Sequence, residues 1–460
     1  MSTTLHFWGG AGTVTGSNFL LESSPEQGRG VGAKFLIDCG LFQSAFACEE
    51  TNWSAFSYDP TSIDFLIITH AHIDHIGRIP RLVREGFRGK IISTEGTRAL
   101  GEPLLLDSLE LLLNEARRCN REPLYDEKDV ERALGLWQGI PYHQKTSLLD
   151  GFEFEFLNAG HILGSAMVRL SRGGHSIVFT GDIGGGNSPL LAPPDAVPQT
   201  DYLVMESVYG DKIRQGVAQR RDELEDIIED TFARKGTLLI PAFSTERTQE
   251  LLFEVRTLMV EKRVASMPVY LDSPLASKIT EAFSRYPSYF KDPIRARMEK
   301  GENIFAFPQL HFVEHIEESQ RIAHAPGPKI VIAGSGMSNG GRVREHERVV
   351  LPDKNSTLLI VGYQAPGSLG RRLIEGEKSV VLHGKKFPVR CTVQAIYAYS
   401  AHIDGEGLVQ FVSKIGDGLK EVFVVHGEPL AAATLTQRLR DYLGVRARAA
   451  EAGEKVTLDL

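Results

Sequence analysis

The stretch Asp64–Val83, DFLIITHAHIDHIGRIPRLV, sets an apolar run directly against His70, His72, Asp74 and His75. Phe65 to Ile68 have the length and the aromatic, β-branched character of a strand, and the polar cluster begins where that run stops. A loop at a strand end holds its side chains against a rigid sheet, which is where binding and catalytic groups concentrate. Neutral imidazole and carboxylate are natural zinc ligands, and an H-x-H-x-D-H run can serve two adjacent ions because neighbouring loop residues point different ways. His70 and His72 would then face one ion, Asp74 and His75 the other. A mononuclear centre needs three protein ligands and an open position; a dinuclear one needs a bridging group and further imidazoles from elsewhere in the chain.

Outward from this stretch, other strand-like runs also stop at ligand-type residues. AKFLIDCG ends on Asp38, GFEFEFLNAGH on His161, HSIVFTGD on Asp182 and DYLVMES on Glu206; near the C-terminus, YAYSAHIDG carries His402 and VFVVHGEP carries His426. His161, Asp182 and His426 are placed to complete a two-ion centre. Between Gly96 and His143 the pattern changes to leucine-rich helical periodicity, LLLDSLELLLNEARR and DEKDVERALGLW, expected to form helices packed on the sheet. From about Tyr209 a second rhythm begins: the helix QRRDELEDIIEDTFARK, the strand GTLLIPAF, the helix RTQELLFEVRTLM, the strand PVYLD, then PKIVIAGSG and STLLIVGYQ. Alternation of this kind predicts a mostly parallel, helix-covered sheet. After about Ser379 strand character returns. The reading is of one domain, residues 1–207 and 379–460, interrupted by a second, residues 208–378, with the site between the two.

Bulk properties agree with a folded enzyme. A chain of 460 residues exceeds one hydrophobic core, so about two or three domains are expected. No segment approaches the ~20 apolar residues of a membrane helix, and MSTTLHFWGG lacks the pattern of a signal peptide; a cytoplasmic location without membrane attachment is expected. Cys39, Cys48, Cys119 and Cys391 form no CxxC pair and are expected to be reduced, buried thiols. The net charge of −8 is unevenly spread: Val208–Lys378 holds 25 Lys and Arg against 24 Asp and Glu, leaving 26 against 35 elsewhere. A near-neutral insert beside an acidic remainder is compatible with a phosphate-bearing substrate lying against the insert.

The order of these motifs resembles a known family. THAHIDH, NAGHILGSA and FTGDIG are similar to successive motifs of the metallo-β-lactamase superfamily, and DCGLFQ to the motif whose aspartate braces the metal loop. MESVYGD, YSAHIDG and VVHGEP resemble the three extra motifs of the β-CASP nucleases, and GSGMSNGGR and GYQAPGSLGRRL share the family's look. The resemblance implies an α/β architecture, a metallo-β-lactamase αββα sandwich interrupted by an inserted α/β β-CASP domain with a mostly parallel sheet. It implies two zinc ions: His70, His72 and His161 on one, Asp74, His75 and His426 on the other, Asp182 bridging, and Asp38 supporting the metal loop. Glu206 and His402 match the family's acid–base pair, with Asp74 also counted as catalytic. A histidine at His426 goes with RNA nucleases in the family, so single-stranded RNA is the implied substrate, with a homodimer as one possible assembly. Hydrolysis would leave a 5′-phosphate and a 3′-hydroxyl, with internal cuts favoured over trimming because GSGMSNGG resembles the polyadenylation-type branch. The alternatives are an exoribonuclease of the same family and a small-molecule metallohydrolase.

Other patterns carry less. GGAGTVTGSN lacks the Lys-Ser/Thr ending of a P-loop and is read as a turn near the site. HFVEH lacks HExxH order, so His311 and His315 are assigned surface or capping roles, and His383 a structural one. Ser335, Gly336, Met337 and Arg342, with Arg344 beyond them, could meet a phosphate, as could Arg371 and Arg372. In PAFSTERTQELL, Glu246 departs from the small residues and glycine usual there, and near an RNA path it would repel phosphate.

Overall fold

The phenylalanines of GFEFEFLN sit two residues apart, and in the strand Glu153–Asn158 this spacing buries Phe154 and Phe156 while Glu153 and Glu155 face outward. In the computed structural model of the chain, which describes residues 2–25, 32–43, 50–213, 216, 218–362, 364 and 367–460, that alternation builds one half of a sandwich. Two seven-stranded sheets supply its layers. The first runs, in spatial order, Lys455–Asp459, Ser2–Gly9, Asn18–Ser23, Lys34–Ile37, Phe65–Ile67, Lys90–Ser93 and Trp137–Gly139; the second runs Ala447–Ala449, Glu421–Val424, Tyr202–Met205, His175–Phe179, Ala166–Arg172, Glu153–Asn158 and Thr146–Ser147. Leu5, Phe7, Phe35 and Ile37 of the first sheet meet Phe154, Phe156, Ile177, Phe179 and Phe423 of the second in one buried cluster. At roughly 25 cal/mol per Å² of apolar surface removed from water, this inter-sheet layer is the main driving force for the sandwich.

Helices close the outer faces. Gly405–Ser413 and Pro429–Leu443 pack Leu408, Val412, Leu435 and Leu439 onto the second sheet through Met167, Val178, Leu203 and Val422. Glu95–Arg118, capped by Thr94, whose hydroxyl accepts from Thr97 N, lies against the edge strand Trp137–Gly139; a Cβ on Gly101 would meet the Trp137 ring at 2.7 Å. The helix expected to run through DEKDVERALGLW stops at Leu136, because Trp137 continues as the seventh strand, too short to show a period of its own.

The chain forms two units. The first comprises residues 1–186, 191–213 and 402–460, and the second residues 187–190 and 214–401. Within the second lies a six-stranded sheet, in order Leu310–Phe312, Val269–Asp272, Lys329–Ala333, Thr237–Pro241, Thr357–Val361 and Thr392–Ile396, every pairing parallel. Its strands read as continuous apolar runs, as a sheet covered on both faces requires. The strand Thr392–Ile396, which by sequence returned to the first domain, pairs with Thr357–Val361 as the edge of this sheet. No helix among the described residues is long and apolar enough to cross a membrane. Cys39 and Cys391 are buried free thiols, Cys119 is disulfide-bonded rather than reduced, and Cys48 lies outside the described residues.

Candidate metal centre

The apolar strand Phe65–Ile67 delivers its chain into a loop that carries His70 and His72 and then into the single turn Ile73–Ile76, which presents Asp74 and His75. Asp38, at the end of the neighbouring strand Lys34–Ile37, holds this loop. Its carboxylate accepts from Thr69 N and from Thr69 Oγ1, both at 2.8 Å, and from His75 Nδ1 at 2.7 Å. That last bond holds the His75 ring in place and turns its Nε2 inward. The backbone there is tight: a Cβ on Gly40 would lie 1.6 Å from the carbonyl oxygen of Asp74.

Four other strand ends converge on the same place. His161 follows the strand Glu153–Asn158 through Gly160 at φ 63°, and its N–H donates to Ser165 Oγ at 2.9 Å. Asp182 follows His175–Phe179 by way of Gly181 at φ 52°. His426, itself at φ 47°, follows Glu421–Val424, and its Nδ1 lies 2.9 Å from Ser17 Oγ. Glu206 follows Tyr202–Met205 and is fully buried.

Asp182 stands at the centre. Its Oδ2 is 3.4 Å from His70 Nε2 and 3.5 Å from His161 Nε2, and its Oδ1 is 3.4 Å from both His75 Nε2 and His426 Nε2. His72 Nδ1 lies 3.0 Å from His70 Nε2 and 3.3 Å from His161 Nε2. Asp74 Oδ2 is 3.6 Å from His426 Nε2 and 3.9 Å from His75 Nε2. Ligand-type atoms thus fall into three groups, each within 4.8 Å, the first and third sharing Asp182: His70, His72, His161 and Asp182; Asp74, His75 and His426; Asp182, Glu206 and His402.

The electrostatics suit cations. Burial, reinforced by His75, pushes His70 down to about 3, and burial carries His426 to about 3 as well; His72 and His161 fall well below the usual histidine range for the same reason. Neutral imidazoles with free lone pairs are what a metal binds; at His75, by contrast, burial is outweighed by Asp182 and Asp38, which hold the ring well above the usual histidine range. Burial pushes Asp74 up to about 6. Burial also disfavours charge on Asp182, but His426, His75 and His70 outweigh it and hold that carboxyl well below the ordinary carboxylate range. His75 Nε2 and Asp182 Oδ1 are buried, 3.4 Å apart, and neither has a hydrogen-bond partner among the described residues. Two positive ions would satisfy both atoms, so the donor set fits the expected metals.

Beside this group, His402 Nδ1 lies 3.2 Å from each oxygen of Glu206, which also accepts from Ile183 N at 2.5 Å. Its Nε2 points toward the cluster, 4.0 Å from Asp182 Oδ2, and Tyr209 meets its ring edge-on at 5.9 Å between centroids. Burial raises the Glu206 pKa against the lowering influence of His402. A bridge pairing of His402 with Gly184 ties these two parts of the chain.

The remaining expected residues belong to the second unit. Ser335, Gly336 and Met337 lie in the loop after Lys329–Ala333. The Arg342 guanidinium donates to Asp272 Oδ1 at 2.8 Å, to Val313 O at 3.0 Å and to Glu314 O, so it braces the sheet. Arg371 and Arg372, about half exposed, pair with Glu375 and Glu377. Glu246 is 2% exposed, which takes it off any solvent-lined substrate path. His311 stacks on Tyr270, His315 precedes the helix Ile316–His324 without a side-chain cap, and His383 lies 3.5 Å from Glu345. Ser17 and Thr69, which orient metal-loop residues, carried no sequence signal beyond their position next to the GGAGTVTG turn and before His70.

A two-sheet sandwich whose strand-end loops gather histidines and carboxylates, interrupted by a parallel α/β insert, defines a hydrolase of the metallo-β-lactamase fold. The model of the metallo-β-lactamase superfamily matches residues 27–226, that of the Beta-Casp domain 248–373, and that of the Zn-dependent metallo-hydrolase RNA specificity domain 386–450. Ribonuclease TTHA0252 of Thermus thermophilus is 35% identical over 92% of this chain and 92% of its own length. Transcription termination factor FttA of Methanosarcina mazei is 30% identical over 98% of this chain and 71% of its length. A crystal structure of a protein of unknown function from Enterococcus faecalis V583 covers 100% of both chains at a TM-score of 0.57 and 12% identity, a likeness of fold alone. The chain belongs to the β-CASP family of the metallo-β-lactamase superfamily.

Proposed function

We propose that this metal-dependent hydrolase is a ribonuclease that cuts single-stranded RNA internally at a dinuclear zinc centre, in the cytoplasm, leaving a 5′-phosphate and a 3′-hydroxyl. The observation that carries it is Asp182, which turns one carboxylate oxygen toward His70 and His161 and the other toward His75 and His426. His70, His72 and His161 would hold one ion, Asp74, His75 and His426 the other, and Asp182 both. Bound there, zinc supplies Lewis acidity, making water more acidic and polarising the phosphodiester. Glu206 orients His402 by accepting from Nδ1, which leaves Nε2 to face the site and protonate the departing 3′ oxygen. His402 retains 20% side-chain exposure, enough for a substrate to reach it. RNA rather than a small substrate is favoured by the matched RNA specificity domain and by the ribonuclease name of a relative that spans almost the full chain.

The test is cleavage of end-labelled linear RNA, circular RNA, the equivalent DNA and a chromogenic lactam, each with zinc and with chelator. The circle should be opened in zinc and left intact in chelator. A protein that trims only linear ends would overturn internal cutting, and one that opens only the lactam would overturn the ribonuclease reading.

A further inference from the structure

Phe243 is 40% exposed, although it lies two residues beyond the buried strand Thr237–Pro241 of the second unit. Single exposed apolar side chains are common and mean little alone. Its topological place gives this one meaning. From Thr237–Pro241 the chain crosses through the helix Arg247–Val260 to Val269–Asp272 on one side of the sheet; from the adjacent Lys329–Ala333 it crosses through Val343–Val350 to Thr357–Val361 on the other. Right-handed crossovers in opposite directions put the two helices on opposite faces. In agreement, Val343 and Val350 pack on Leu239, Val331 and Leu358 in a cluster that includes no residue of Arg247–Val260. Loops leaving two neighbouring parallel strands in opposite directions open a crevice at the carboxyl ends, where ligands of open α/β sheets bind.

Phe243 lies in the loop after one of these strands and the GSGMS loop follows the other. A Cβ on Gly336 would lie 2.7 Å and 2.9 Å from the ring carbons of Phe243 and 2.9 Å from its nitrogen, so only a glycine lets the ring rest there. Both loops are pinned. Thr248 Oγ1 donates to Phe243 O at 2.8 Å, the buried Gln249 amide to Ser244 O at 3.1 Å, and the buried Gln364 amide to Gly336 O at 2.9 Å. Ser335 Oγ is buried in the same loop with no hydrogen-bond partner among the described residues.

We infer that Phe243 is a stacking platform for one nucleobase of the RNA substrate. This rests on the ribonuclease reading. A phenyl ring 40% exposed between two pinned loops offers a flat apolar face, and every base has a matching π-face, so such a contact adds affinity with little sequence preference. Because backbone and Gly336 fix the ring before RNA arrives, little ordering cost opposes the stack.

The experiment compares wild type, Phe243→Leu and Phe243→Trp in steady-state cleavage of an oligoribonucleotide and of a series in which one nucleotide at a time lacks its base. Phe243→Leu should raise KM about tenfold, within the range of a base–aromatic stack, with kcat changed less than about twofold, and Phe243→Trp should restore KM. Wild type should lose a similar factor when the base is missing at one register, and Phe243→Leu should be insensitive there. An unchanged KM in Phe243→Leu, or full sensitivity to the missing base in that variant, would overturn the inference while the ribonuclease reading stands. Wild type that cuts none of these RNAs would overturn both.

Discussion

At the scale of single residues, the centre depends on side chains that hold ligands as much as on the ligands. Asp38 is the clearest, because it binds Thr69 and His75 at once and thereby fixes both the loop and the ring orientation. Asp38→Asn should weaken zinc affinity about 10- to 100-fold, measured by competition with a chromogenic chelator, while excess zinc restores most of the activity. His402→Ala should behave differently: zinc content unchanged, kcat for RNA lower by about 10²–10⁴. Sequence made the ligand-type residues legible because each stands at the end of an apolar run. It left Ser17 silent, because a serine after a glycine-rich turn has no distinctive pattern until His426, 409 residues away, is brought to 2.9 Å from its hydroxyl.

At the scale of elements, the helix Arg247–Val260 begins under strain. Its first flanking residue, Glu246, has φ 62° and ψ −56°, a region that favours glycine, and its carboxyl is buried; among the described residues only Ser188 Oγ, at 3.3 Å, donates to it. Burial and the neighbouring Glu250 push its pKa well above the ordinary glutamate value. Glu246→Gly should therefore stabilise the protein by about 1–3 kcal/mol, a melting temperature a few degrees higher. The pH dependence has a definite sign. A raised folded-state pKa means that the acid form is preferred in the fold, so wild type loses stability relative to Glu246→Gln as pH rises above the unfolded glutamate value near ~4.3. Thermal melts of both proteins from pH 4 to 8 should show a widening gap. The oddity of Glu246 was visible in the sequence, but its burial was not, so the repulsion expected of it on an RNA path does not arise. Short strands were the other blind spot: Trp137–Gly139 and Thr392–Ile396 owe their places to sheet pairing rather than to any period of their own.

At the scale of the whole molecule, the first unit gathers all seven proposed ligands from strand ends scattered between residues 70 and 426, so metal binding and folding of that unit are coupled. Zinc at about 100 times its dissociation constant should add about 2.7 kcal/mol to stability, seen as a higher melting temperature that chelator reverses. The interrupted architecture was legible because strands alternate with helices from about Tyr209, while ligand-type residues at strand ends lie on both sides of that segment. The measurement that bears most directly on the centre is anomalous X-ray scattering from crystals of zinc-loaded protein, recorded on both sides of the zinc edge. Two peaks should flank the Asp182 carboxylate, one among His70, His72 and His161 and the other among Asp74, His75 and His426. A single peak, or two that leave Asp182 or His426 without an ion, would contradict the account.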